Sequence, residues 1–192
     1  MNKQVVKKIG IWFLAFSLFA CHVLFRSVAH ADTGPSWQKI FSKGGECHIS
    51  FPSDPQMIQQ SLPLAEGMGR LTYDVYLAPH EDKGVFLLLI ATYPAPLTEG
   101  HEIAGLEGLL SGIVNHNPEN ELVFADMNNL LGHPAMNFLV EGGNSYFRGQ
   151  AIMVGNKLYL VAMEGLKGKM NETVYKKFLE SFRLMARPKN PN

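Results

Sequence analysis

Apolar and polar positions alternate with a period of two over much of residues 36–166, and only two stretches switch to a helical period. Trp37 to Phe51 reads as a hairpin: "WQKIFS", a Gly44-Gly45 turn, then "ECHISF", in which Cys47, Ile49 and Phe51 alternate with His48 and Ser50. "MIQQSLPLA" is an edge-like strand, because Pro63 cannot donate to a ladder. In "LTYDVYLA" Leu71, Tyr73, Val75 and Leu77 share a face, and the unbroken run "VFLLLIATY" predicts a central strand buried on both faces.

A helix is expected from about Thr98 to His116, with Ile103, Leu106, Leu109, Leu110, Ile113 and Val114 on one side. Gly105, Gly108 and Gly112 fall together opposite that stripe. Two meanings stay open for them: a face that admits close approach of another surface, or a weak helix, since each glycine costs up to about 1 kcal/mol against alanine. "ELVFADMNNLLG" into "HPAMNFLVE" and "SYFRGQAIMV" into "KLYLVAME" predict two further strand pairs, the last closed by Gly155-Asn156. Asn171 caps a closing helix whose buried stripe is Val174, Tyr175, Phe178, Leu179 and Phe182. The order predicts an α+β fold, mostly antiparallel sheet flanked by helices.

With "GGNS" as a turn, Glu141 opposes Tyr146, Leu139 opposes Arg148 and Asn137 opposes Gln150. Met136, Phe138, Val140, Phe147, Ala151 and Met153 then form a core face. The opposite, mixed face is the candidate site: Asn137, Glu141, Tyr146, Arg148 and Gln150. Arg148 offers a fork of donors for a carboxylate or phosphate, Tyr146 a flat amphipathic surface, and the amides adjustable hydrogen bonds. The competing expectation is a solvated face with a diagonal Glu141–Arg148 pair, partly covered by a helix because Ile152, Val161 and Met163 continue it.

The N-terminus changes the charge balance. Lys3, Lys7 and Lys8 precede an apolar run from Ile9 to Phe25, and Ala29 and Ala31 supply the small residues of a signal-peptidase site. Residues 1–31 are thus expected to be a signal peptide cut after Ala31, residues 32–185 one domain, and 186–192 a disordered tail. "LFAC" offers lipidation at Cys21 as an alternative, although apolar residues follow it, and the run of about 17 residues is at the short limit for a retained anchor. Each route implies export, to periplasm or cell envelope, with membrane contact only through the leader or a lipid. The leader holds Lys3, Lys7, Lys8 and Arg26 and no acid, so the mature chain has 13 Lys+Arg against 17 Asp+Glu, a net charge of −4. That balance excludes a basic nucleic-acid footprint. Cys47 is then the single cysteine, so no intramolecular disulfide is expected.

Few catalytic patterns survive inspection. "HEIAG" begins like a zincin helix, but Gly105 stands where the second histidine belongs, and His116 lies roughly 22 Å further along a helix axis. His48, His80 and His133 have no ligand spacing, so no metal and no cofactor is expected. Sharing a face with Ile49 and Phe51, Cys47 reads as a small core residue. Neither a nucleophile elbow nor a phosphate loop is present.

"GGECHISFPSDPQ" resembles the glycine-rich turn and Pro-ended strand of small exported bacterial proteins with a PsbP-like α/β/α fold. "YFRGQAIMVGNKLYLVAMEG" followed by "FLESFRL" is similar to their closing hairpin and helix, and the resemblance spans most of residues 36–184. It implies an α/β/α sandwich associated with binding or assembly, and brings no catalytic residue. The expected function is a non-enzymatic envelope or periplasmic module that binds an envelope protein or a small ligand. The rivals are a thiol- or carboxylate-dependent hydrolase and a lipid-tethered structural protein.

Overall fold

The computed structural model describes residues 37–64, 69–80, 84–95 and 101–185. The leader with Cys21 and Ala31, and the tail 186–192, lie outside the described residues. The chain runs β1 (Gln38–Ser42), β2 (Cys47–Phe51), β3 (Gln56–Pro63), β4 (Arg70–Pro79), β5 (Val85–Thr92) and α1 (His101–Asn115). It continues through β6 (Asn120–Leu130), β7 (His133–Gly142), β8 (Ser145–Val154) and β9 (Lys157–Leu166) to α2 (Glu172–Ser181) and β10 (Arg183–Leu184).

Seven strands form one antiparallel sheet in the order β3-β4-β5-β9-β8-β7-β6. The run Val85–Thr92 is buried on both faces as its sequence predicts: Leu87, Leu89 and Ala91 enter one core, and Phe86, Leu88 and Ile90 the other. Helix α1 packs on the first face, over β6, β7 and β8. On the second face lie α2 and a small sheet, β1-β2-β10. The Trp37–Phe51 hairpin is therefore not an extension of the main sheet. It forms a layer above it, where Phe51, Phe86 and Phe178 meet with ring centroids 4.9–5.2 Å apart.

The main sheet holds that layer through the turn after β1. Tyr159 Oη donates to the Gly45 carbonyl (2.7 Å), and Lys157 Nζ donates to the Gly44 carbonyl (2.8 Å) and pairs with Glu46 (2.7 Å). Gly45 suits this approach, because a Cβ there would sit 2.4 Å from Ile90 Cδ1 and 2.9 Å from Ser42 Oγ, and those side chains would have to shift.

Helix α1 corrects one expectation. Its buried residues are Leu106, Leu109, Gly112 and Ile113, whereas Ile103 is 45% exposed. The Gly105/Gly108/Gly112 set is not an outer face: Gly112 is buried, and Gly105 and Gly108 are half-buried. A flank without side chains leaves room for a helix to sit close to a sheet, which accommodates the buried Gly112. Helix α2 starts where predicted, with Asn171 Oδ1 accepting from Val174 N (3.1 Å). It ends one residue before Phe182, which leaves the helix yet stays buried against the Tyr159 ring (5.6 Å).

Candidate functional site

The β7–β8 register is the predicted one: Glu141 opposes Tyr146, Leu139 opposes Arg148, and Asn137 opposes Gln150. Strand alternation places all five candidate residues on one face, but they do not converge on an open site. Arg148 reaches into the first turn of α2 and engages Glu172 with both terminal nitrogens, Nη1 to Oε2 and Nη2 to Oε1. Its guanidinium carbon lies 4.5 Å from the Tyr175 ring centroid. The fork that could hold a ligand carboxylate holds one from its own chain.

Gln150 Nε2 donates to Asn137 Oδ1 (2.9 Å), so these amides satisfy each other. Glu141 pairs with Lys167 (3.2 Å). The diagonal Glu141–Arg148 pair expected from sequence therefore does not form: Arg148 engages Glu172 at the start of α2, and Glu141 engages Lys167 ahead of it. Tyr146 offers no flat outer surface: it is only 3% exposed, and its Oη is buried without a hydrogen-bond partner. Burial raises the Tyr146 phenol, and the Arg148 charge partly offsets this. Burial likewise pushes Tyr175 up to about 12, against the lowering effect of Arg148.

Cys47 is fully buried. Burial pushes its thiol up to about 12, with Lys157 pulling weakly the other way. It touches the second core through Ile49 and Phe51 on its own strand face. A thiol in that state is a poor nucleophile, since the thiolate is the reactive form.

Among the described residues, clefts open at both ends of the main sheet. One, of about 490 Å³, lies beyond the end of α1 and the β7–β8 turn, with His116, Glu119, Asn144 and Glu164 among its lining. The other, of about 570 Å³, is bounded by Glu46, Leu131, His133, Lys157, Tyr159 and Met185. Among the described residues, Glu46 (φ 49°) and Leu131 (φ 54°) are the non-glycine positions in the left-handed region, and both line this second cleft. Leu131 and Gly132 form the two-residue β6–β7 turn with positive φ at both positions, a geometry that favours Asn-Gly. A leucine there is strained by roughly 1–2 kcal/mol. It is also 70% exposed. Sequence reading overlooked Leu131, although the signal was present: "LLGH" puts leucine where the turn wants asparagine.

A central antiparallel sheet with a helix on each face defines a PsbP-like α/β/α sandwich, and the chain has that fold. The solution structure of the cyanobacterial PsbP (CyanoP) from Synechocystis sp. PCC 6803 matches with a TM-score of 0.53 at 14% identity, covering 83% of this chain and 98% of that one. A Pseudomonas aeruginosa protein of unknown function matches with a TM-score of 0.43 at 13% identity, over 80% of this chain and 99% of that one. A Bacteroides thetaiotaomicron protein gives 0.38 at 15% identity, over 81% and 50%. At these identities the likeness is one of fold. No protein-family model and no curated protein matches the chain.

Proposed function

We propose that the chain is an exported, non-enzymatic module of the periplasm or cell envelope that binds a partner at the cleft beside the β6–β7 turn. The observation that carries this reading is the meeting of Glu46 and Leu131 at one cleft. Strained backbone persists where the surrounding structure enforces it, and it gathers at active sites, ligand clamps and switch regions. Leu131 adds exposed apolar surface to the strain, and Met185, 48% exposed, stands on the same rim. The reading is supported further by Arg148, which is taken up by Glu172, and by Cys47, which is buried in the core.

The test is affinity capture from the native envelope, comparing the processed chain with its Leu131→Asn variant. Asparagine suits the turn, so the variant folds, and any loss of capture reports the removed apolar side chain. The expected result is a partner retained by the parent chain and lost by the variant. Equal capture by both would sink the cleft as the docking site.

A further inference from the structure

Strand β6 ends the main sheet and, among the described residues, pairs only with β7. Its residues from Glu121 to Met127 are all exposed, including Leu122, Val123, Phe124 and Met127. Free edges are ordinarily blunted by lysine, by proline or by shortness. The strand "NELVFADMNNL" has eleven residues and contains neither lysine, arginine nor proline. Its one irregularity, the bulge at Val123, lies near the start and leaves Phe124–Leu130 regular. The other sheet edge, β3, ends in Pro63.

The backbone direction along β6 follows from its hairpin. Leu130 and His133 flank a two-residue turn and form a hydrogen-bonded pair, so Asn128, Asp126 and Phe124 also turn their backbone groups toward β7. Ala125, Met127 and Asn129 turn theirs outward. These three are the groups an added antiparallel strand must meet.

A second copy of the same strand meets them in few registers. An axis through Asp126 sets two carboxylates directly opposite each other, which is unfavourable. One through Ala125 brings the bulged Val123 into the ladder, and one through Asn128 sets Asp126 against Leu130. With the axis through Met127, Ala125 faces Asn129 and Phe124 faces Leu130, while the Asp126 carboxylate faces the Asn128 amide of the other copy. The paired segment then runs unbroken from Phe124 to Leu130, with about six backbone hydrogen bonds.

We propose that β6 is a self-association edge: two copies pair antiparallel about a two-fold axis through Met127, joining their sheets into one of fourteen strands. Asp126 and Asn128 select this occupant, because about Met127 each carboxylate meets the other copy's amide and no two carboxylates meet. The proposal is independent of the cleft, since Leu131 lies outside the paired segment.

Two measurements test it on the processed chain as purified. Sedimentation over a wide concentration range should show a monomer–dimer equilibrium, and Met127→Lys should shift it to monomer while melting at the temperature of the dilute, monomeric parent. Under mild oxidation, Met127→Cys should form a 127–127 disulfide, the hydrogen-bonded pair being about 5.5 Å apart at Cα. Glu121→Cys should not, because the same register separates those positions by about 40 Å. A chain that stays monomeric at every concentration overturns the proposal, as does cross-linking at 121 in preference to 127. So does a dimer that survives Met127→Lys.

Discussion

Arg148 on β8 and Glu172 in the first turn of α2 form a two-point ion pair across 24 residues of chain, with the Tyr175 ring packed beneath the guanidinium. The pair fixes the start of α2 on the sheet, and Glu172 also suits the positive end of the helix dipole. Both side chains keep water contact, Glu172 more than Arg148.

Solvent screening therefore limits the strength of this pair. Arg148→Ala should destabilise by about 1 kcal/mol, through lost packing on Tyr175 as well as lost charge. Glu172→Gln should cost less, because the cation–ring contact remains. A double-mutant cycle by urea denaturation should give a coupling below about 1 kcal/mol that shrinks with added salt. A coupling unaffected by salt would contradict the exposed character of the pair.

Cys47 should react slowly with a thiol reagent in the native state and rapidly after denaturation. Its folded value of about 12 lies above the ordinary 9.0, so the folded chain holds a proton that the unfolded chain releases. This contribution to stability is complete below pH 9 and is lost as pH rises from 9 toward 12. Tyr93 and Tyr175, raised from 10.0 to about 12 by burial, act in the same direction above pH 10. Stability measured between pH 8 and 11 should fall, and Cys47→Ala should fall less steeply. Equal labelling rates in native and denatured chains would show an accessible thiol and revive the hydrolase reading.

Leu131→Asn should stabilise the chain by roughly 1 kcal/mol, because asparagine tolerates the left-handed conformation. Leu131→Val should do the reverse, since a β-branched side chain suits that region least. Melting temperatures that move together in the two variants would refute the turn geometry as the source of strain.

On α1, Gly112→Val should destabilise by about 1–3 kcal/mol through overpacking at a buried position. Gly108→Ala, half-buried, should change stability by no more than a few tenths to about 1 kcal/mol, in the stabilising direction. Equal effects at the two positions would place both on the outer surface.

The sequence made the strands and the β7–β8 register legible because period-two alternation and short glycine turns act locally, as Val85–Thr92 and Gly143-Asn144 illustrate. What it could not convey was the partner of each polar group on the resulting face. Arg148 and Glu172 meet only after α2 folds back over the sheet, and no local rule links them. The α1 wheel identified apolar positions, but whether the sheet accepts Ile103 or Gly112 depends on how closely the backbones approach. The two-residue strand β10 escaped notice because its hydrogen bonds belong to β2, far upstream.

That last strand sets a time order on the molecule. β2 lies between β1 and β10, so the layer over the second core closes only when Arg183 and Leu184 are delivered. Leu184 aligns with Cys47, and Phe178 seals the rings of Phe51 and Phe86. A chain that stops short of Arg183 lacks this clasp, and its Cys47 thiol should then be open to reagent. Cys47 labelling thus serves as a gauge of completed folding, counting chains with the last strand in place against chains without it.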